Sequence, residues 1–508
     1  MSQCFDKGDI QKIAKGTGIS FVGSIVGRGL FFVTQVVIAR LLGVEIFGLF
    51  AIGFAAVKIG DIIASLGLNT GGMRFVSIFF RQDAPRLKGV LNSSVALSLL
   101  NGLLLGAVLY LLSMPISVHI FHKPELAPIL RMFAMSLPFA SAMMVLPYLL
   151  QGFHTTKYTV YVREFVQPSV NLLLIVGFYF AGFGVAGVIY AFLLSNLAGC
   201  IAGIYFVRKL FPQFTKPDIK PVYEVKKLLA YSAPLFLVNF LHFFLSFTDT
   251  LMLGSLGSAE DVGIYQAASQ LPMVMLMFIV ACNSIYAPVV ADLYHKSEMR
   301  RIAGVLKTTT RWASYAAIPL FILLIFSSRE LMLLFGKGYV EKGSIVLLIL
   351  SVRQLINCMT GGVGVTLSMT SKQNVEAWNS VAMLVLNIGM NYALIPRYGV
   401  LGAAVSSCIS GSLINILRVV EVALLYKMHP FSKVLIKYAV PSFLSVALLL
   451  LLSFVPIRLE AIGLFSIKTA IVVLLFSLFF LISKNLAEED DFIYRKIIAV
   501  FQKAKPAC

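Results

Sequence analysis

A chain of 508 residues that is 59% hydrophobic and only 13% charged, with a mean hydropathy of +0.89, carries more apolar surface than one water-soluble globule can hide. These values exclude a soluble enzyme or binding domain and indicate an all-α polytopic membrane protein. The formal net charge of +19 reads as membrane topology and contact with anionic lipid, and no nucleic-acid partner is expected.

In chain order, a polar start (1–16) runs into an apolar stretch that is too long for a signal-peptide core and lacks a small-residue cleavage site, so the first helix is expected to remain. From Thr17 to Ser483, apolar segments of about 18 to 25 residues alternate with short charged or Gly/Pro-marked turns; each is long enough to cross hydrocarbon. About fourteen transmembrane helices are expected. Their centres lie near Gly29, Gly60, Leu100, Pro138, Leu172, Ser195, Leu241, Val274, Ile318, Ser351, Leu384, Ser410, Ala447 and Val472. The six cysteines are scattered, with neither C-x-x-C nor metal-ligand spacing, so neither disulfides nor a metal site is expected. No cofactor is expected either, because the chain carries no nucleotide-binding motif.

Lys and Arg in short loops stay on the cytoplasmic side. With the N-terminus inside, roughly 29 of the 42 Lys and Arg fall in inside segments and roughly 8 outside. Both termini are therefore expected in the cytoplasm, with the strongest inside marks at Arg81 to Lys88, Arg208 to Lys227 and Tyr294 to Arg301.

The stretch LGVEIFGLF at Leu42 to Phe50 returns as LGSAEDVGIY at Leu256 to Tyr265, with Gly43 matching Gly257 at an offset of 214 and Gly48 matching Gly263 at 215. TTK at Thr155 matches TSK at Thr370, and GVAG at Gly184 matches GVLG at Gly399, in the same register. Shared hydrophobicity does not keep a register, so the chain reads as two homologous halves. Six helices per half give parallel repeats, related by an axis along the membrane normal and expected to enclose a cavity that opens to alternate sides. The expected organisation is a cytoplasmic N-terminus (1–16), a first lobe (17–210), a cytoplasmic linker (211–227), a second lobe (228–427), two further helices (433–483) and a cytoplasmic tail (484–508). In that tail Phe492, Ile493, Ile497 and Phe501 recur at near-helical spacing, as for an interfacial helix.

About five basic residues remain inside apolar spans, and each needs a reason to be there: Arg28, Lys58, Arg131, Arg353 and Arg418. Arg28 sits near the middle of the first span, with Gln35 seven residues on along the same face, and its repeat counterpart is His242. Lys58, Asp61, Ser65 and Asn69 form one polar stripe on the second span. Lys58 and Asp61 at i, i+3 either neutralise each other or meet a substrate or ion, and Asp61 is a candidate proton or sodium site. Asn239, His242, Ser246 and Asp249 form a stripe on the seventh span, with Asp249 as an ion-coupling carboxylate or a gate partner. Gln266 and Gln270 share a face of the eighth span, and Arg353, Asn357 and Thr360 a face of the tenth. Arg131 and Arg418 lie closer to a membrane face, where anchoring suffices, and Glu421 at i+3 is a ready partner for Arg418. The GxxxG at Gly23 and Gly27 reads as helix packing.

The patterns ARLLGVEIFGLF (Ala39 to Phe50), YSAPLFLVNFLHFFLSFTDTLMLGSLGSAEDVGIYQAA (Tyr231 to Ala268), LLFGKGYVEKG (Leu333 to Gly343) and YGVLGAAVSSCIS (Tyr398 to Ser410) resemble the polysaccharide-biosynthesis branch of the multidrug/oligosaccharidyl-lipid/polysaccharide exporter superfamily, to which Wzx-type flippases belong. The resemblance covers nearly the whole chain. It implies two six-helix lobes plus two extra helices, and transfer of a polyprenyl-pyrophosphate-linked oligosaccharide from the inner to the outer leaflet of the cytoplasmic membrane. A polysaccharide polymerase or a chain-length regulator would then be a partner. Such a substrate needs a polar, cationic cavity: Arg28, Lys58, Arg353 and His242 for the pyrophosphate, and Gln35, Asn239, Gln266, Gln270 and Asn357 for sugar hydroxyls. Two other readings stay open. A cation-coupled drug exporter would suit an acidic cavity, whereas the mid-membrane excess here is basic. A membrane-embedded glycan polymerase or transferase has its best candidate in HIFH at His119 to His122, with Glu125 nearby, but on a short loop.

Overall fold

The computed structural model describes residues 7–454 and 461–482, and every regular element among them is a helix. The amphipathic tail pattern at Phe492 to Phe501 lies outside the described residues. All fourteen expected span centres fall on helices, and ten helical segments are by themselves long and apolar enough to cross a membrane. The chain is a multi-pass membrane protein.

Helix α1 (Lys7–Ser65) is 59 residues long, about three times the roughly 20 residues a bilayer needs, and is interrupted at Gly43 by φ 76°, ψ 174°. Only glycine adopts these angles cheaply, so the sequence places its first turn on one residue instead of a loop. Helix α2 (Leu68–Phe79) follows Gly67, again at positive φ. Then come α3 (Ala84–Pro115), α4 (Leu126–Gln151), α5 (Lys157–Val160), α6 (Gln167–Phe180), α7 (Gly184–Leu210), α8 (Val225–Leu256) and α9 (Ala259–Gln270). Tyr161–Val166, between α5 and α6, is a π-helical turn, a wider winding that often marks a functional position. The chain continues through α10 (Met273–His295), α11 (Met299–Phe326), α12 (Ser328–Leu333), α13 (Val340–Thr360), α14 (Val363–Met369), α15 (Gln373–Tyr398), α16 (Val400–Tyr426), α17 (Ala439–Phe454) and α18 (Ala461–Ile482).

One pair of repeat markers occupies matching structural positions. Gly184 (φ 53°) opens α7 and Gly399 (φ 55°) immediately precedes α16, both at positive φ. A turn that needs positive φ in both halves explains why that short pattern recurs. Near the other pair the positive φ falls on Ser371 (φ 59°) within TSK but on His154 (φ 58°) just before TTK.

Two compact units form, 1–266 and 267–508. In the first, α4 packs against α1, α3 and α7, and α8 packs on α1 and α2. Small residues set the approach: Gly102 and Gly106 of α3 face α4 so closely that a side chain would meet its backbone, and Ser141 donates to the Ser98 carbonyl at 2.7 Å. Gly23 and Gly27 likewise seat α1 against Val160 and Glu164. In the second unit α10, α11, α13 and α16 make the core, and α17 and α18 lean on α11. Lys468 of α18 anchors that contact, with Nζ 2.6 Å from Glu330 and 2.5 Å from the Phe326 carbonyl.

Candidate functional site

The stripe Lys58, Asp61, Ser65, Asn69 lies on α1 and α2 with all but Lys58 buried. Lys58 reaches a cavity of about 150 Å³ inside the first unit. The part of α1 before the Gly43 break contributes Phe31 and Gln35, the part after it Phe50, Phe54 and Lys58, α6 Gln167 and Asn171, and α7 Phe192. The break therefore lets a single helix line the cavity twice.

Lys58 holds its ammonium 3.3 Å from Asp61 Oδ2 and 5.4 Å from the ring centres of both Phe54 and Phe192. The pair and the two ring faces keep a charge tolerable where water is scarce. The pair is neutral as a whole, but the ammonium spends only one of its three donors on Asp61 Oδ2, and Asp61 Oδ1 has no hydrogen-bond partner. Two further buried acceptors, Gln35 Oε1 and Asn171 Oδ1, also lack partners, and both residues line the cavity. The cavity thus offers one ammonium, two amide oxygens that need a donor, and aromatic walls. Such a surface accepts hydroxyl or N–H donors, apolar ring faces and an anionic group together.

Of the other anticipated residues, Arg28 is exposed on α1; its charge acts on Glu164 in the π-helical turn. The side chains of Asn239 and His242 lie outside the described residues. Asp249 is buried and accepts a hydrogen bond from the Tyr265 hydroxyl at 2.6 Å, which ties α8 to α9. Gln266 is half-buried and Gln270 buried on α9, and neither lines the cavity.

Arg353 and Asn357 belong to the second unit, in a network between helices. Arg353 donates to Ser407 Oγ at 2.8 Å across to α16. Asn357 Oδ1 accepts from Asn415 Nδ2 at 3.3 Å, and Asn415 in turn accepts from Arg418 at 3.2 Å. Arg418 does not turn to Glu421. It grips Glu376 of α15 through two bonds of 2.5 and 2.9 Å, and Glu421 accepts from Asn379 at 2.6 Å. A bidentate fork to a carboxylate on a facing helix is better matched than a neighbour on its own helix. Arg131 donates to Ser113 at 3.0 Å and lies over the Tyr110 ring.

Gln167 and Asn171 are missing from the expected set, although Glu164, Gln167 and Asn171 repeat the 3, 4 spacing that marked the other stripes. The buried Arg311 of α11 and Lys468 of α18 were also passed over.

An aromatic-walled cavity with one ion-paired lysine and two unpartnered amide oxygens lies among the apolar helices of a multi-pass membrane protein. Residues 13–294 match the family model described as polysaccharide biosynthesis protein, and the chain belongs to that family. Residues 234–393 also match the MatE model. Among curated proteins, the chain is 26% identical over 230 residues (45% of this chain, 48% of the relative) to a probable low-salt glycan biosynthesis flippase of Haloferax volcanii. It is 26% identical over 242 residues (47% and 50%) to a probable flippase of the same organism, so the chain spans about half the length of these relatives. Among solved structures, a lipid II flippase in an inward closed conformation superposes with a TM-score of 0.71 at 15% identity, covering 94% of this chain and all of that one. An inward-facing multidrug resistance transporter of the MATE family gives 0.64 at 17% identity, covering 79% of this chain and 94% of that one. At these identities the superpositions speak for the fold.

Proposed function

We propose that the protein is a flippase for surface-polysaccharide biosynthesis, carrying a polyprenyl-pyrophosphate-linked oligosaccharide from the inner to the outer leaflet of the cytoplasmic membrane by alternating access. Both termini face the cytoplasm on this reading, and a polymerase or chain-length regulator takes up the product outside. The observation that carries it is the cavity of the first unit, where Lys58 stands beside the unpartnered amide oxygens of Gln35 and Asn171 among four phenylalanine rings. Glycan hydroxyls supply the donors those oxygens lack, and their ring faces suit the aromatic walls. The anionic headgroup suits a lysine that shares only one oxygen of Asp61. The polyprenyl tail never leaves hydrocarbon, so only the polar head needs the cavity. The names of the curated relatives, a probable glycan-biosynthesis flippase and a probable flippase, agree with this assignment.

The test is leaflet exposure of a lipid-linked oligosaccharide in proteoliposomes, read with a membrane-impermeant sugar probe, with and without an ion gradient. Transfer well above protein-free vesicles is expected. Absence of transfer by folded, oriented protein across several glycans would refute the reading and turn attention to export of cationic drugs.

A further inference from the structure

The two turns that repeat in sequence meet each other in the fold. Gly48 lies against the Ala259 carbonyl and the Gly263 amide nitrogen, and Gly263 lies against the Val44 carbonyl and the Gly48 nitrogen. A Cβ on either glycine would overlap the opposing backbone, so main chain touches main chain at these two glycines. One residue before Val44 and five before Gly48, the long helix α1 is broken at Gly43, where an added Cβ would meet nothing within 4 Å.

Lys123 fastens the same place. It sits in the connection between α3 and α4, and its ammonium donates to the Phe121 carbonyl of its own loop at 3.1 Å, to Gly254 at 2.5 Å and to Gly257 at 2.8 Å. The last two carbonyls close the C-terminal end of α8, where the helix leaves acceptors unsatisfied and its dipole is negative. All three lysine donors are used. Burial pulls the Lys123 ammonium below the usual lysine range, and the Asp261 and Glu125 carboxylates oppose that shift. Beside it a cavity of about 370 Å³ runs between Glu45, Leu49 and Glu125 on one side and Ser255 to Ala259 on the other.

We infer that these turns form a gate on the face opposite the basic Arg81 to Lys88 loop, with Gly43 as its hinge and Lys123 as its latch. The inference rests on the alternating-access reading above, which requires an exit to the outer surface. Where the turns meet, glycine backbone and one ammonium make the contact, with Ile52 and Phe121 packed on Gly254 beside it, and the polar part of such a contact suits an element that must separate. Parting it exposes carbonyls and a charge that water satisfies, whereas parting interlocked apolar side chains would not. The hinge is a single glycine already outside helical geometry, so α1 bends there without new strain.

Two experiments on the full-length protein test the gate. Leu49→Cys places a thiol at the buried edge of the outer cavity, where a membrane-impermeant maleimide added from outside should react slowly. Adding Lys123→Met should raise that rate at least tenfold, and Lys123→Arg should fall between, because a planar fork cannot cover three carbonyls. Unchanged labelling in Lys123→Met overturns the latch, and reaction only in inverted vesicles overturns the outward assignment. Glu45→Cys with Ser258→Cys, joined by a short cleavable cross-linker, should block transfer of lipid-linked oligosaccharide and recover on cleavage. Undiminished transfer by cross-linked protein overturns the gate. If the protein transfers no glycan before cross-linking, the flippase reading fails instead, and the Lys123→Met labelling still decides the latch.

Discussion

Lys58 has two duties, holding the buried Asp61 and presenting a cation to the cavity, and paired substitutions separate them. Lys58→Met keeps an unbranched chain over Phe54 and Phe192 but removes the ammonium 3.3 Å from Asp61 Oδ2. Oδ1 already lacks a partner, so the carboxylate, with only 2% of its side chain exposed, is left with neither oxygen paired. Stranding a buried charge costs about 3–5 kcal/mol. At about 1 °C per kcal/mol for a chain of 508 residues, the thermal midpoint in detergent should fall by about 3–5 °C. Lys58→Met with Asp61→Asn replaces the pair by neutral groups of similar size and should recover most of that loss, since a buried ion pair adds little net stability over a neutral replacement. Translocation should not recover, because the cavity has lost its cation in both variants. A double-mutant cycle should give a coupling of about 1–3 kcal/mol or more. If the double variant regains both stability and transfer, Lys58 meets no anionic group, and the cationic-cavity argument is wrong. If Lys58→Met alone loses neither, the ion pair is incidental.

Asn171→Leu should leave the fold intact and lower glycan transfer, checked by expression and thermal melting beside the leaflet assay, because it replaces an unpartnered acceptor by a side chain that cannot bond a hydroxyl. Tyr265→Phe removes the 2.6 Å donor to Asp249 and should cost about 1–3 kcal/mol, read as a lowered melting temperature. Arg418→Lys exchanges a two-bond grip on Glu376 for a point charge and should cost about 1–2 kcal/mol. Glu421→Gln, which leaves that grip alone, should be milder in the same melting assay.

Hydrophobic periodicity made the fold legible because a bilayer leaves few options: each backbone polar group must be satisfied within its own helix, so length and hydropathy place the spans. The finer interruptions were less visible. A kink at Gly43 and a π-helical turn at Tyr161 to Val166 depend on backbone angles that composition does not report. Side-chain partners were harder still. Helical spacing tells which residues share a face, and on that basis Lys58 and Gln35 stood out. It does not tell what the face meets. Arg418 was paired by spacing with Glu421, whereas the carboxylate it grips, Glu376, lies 42 residues away in sequence on another helix. Gln167 and Asn171 are uncharged, and their stripe carries its charge only at Glu164, on the far side of a change in winding.

The repeat gives a stricter lesson about what equivalent positions mean. Gly184 and Gly399 keep the same left-handed angle because each does a local job, opening a helix after a tight turn. Gly43 and Gly257 do not: one is at φ 76° at the break within α1, and the other is extended at φ −122° beyond the end of α8. Their neighbours Gly48 and Gly263 are alike for a different reason, since each is the other's partner. When two copies of a turn pack on one another, both must stay small at the contact, while the residues around it are free to diverge. One copy then serves as a hinge and the other offers carbonyls to Lys123. A duplicated segment need not repeat its task; where the copies touch, it is the contact that holds both sequences in step.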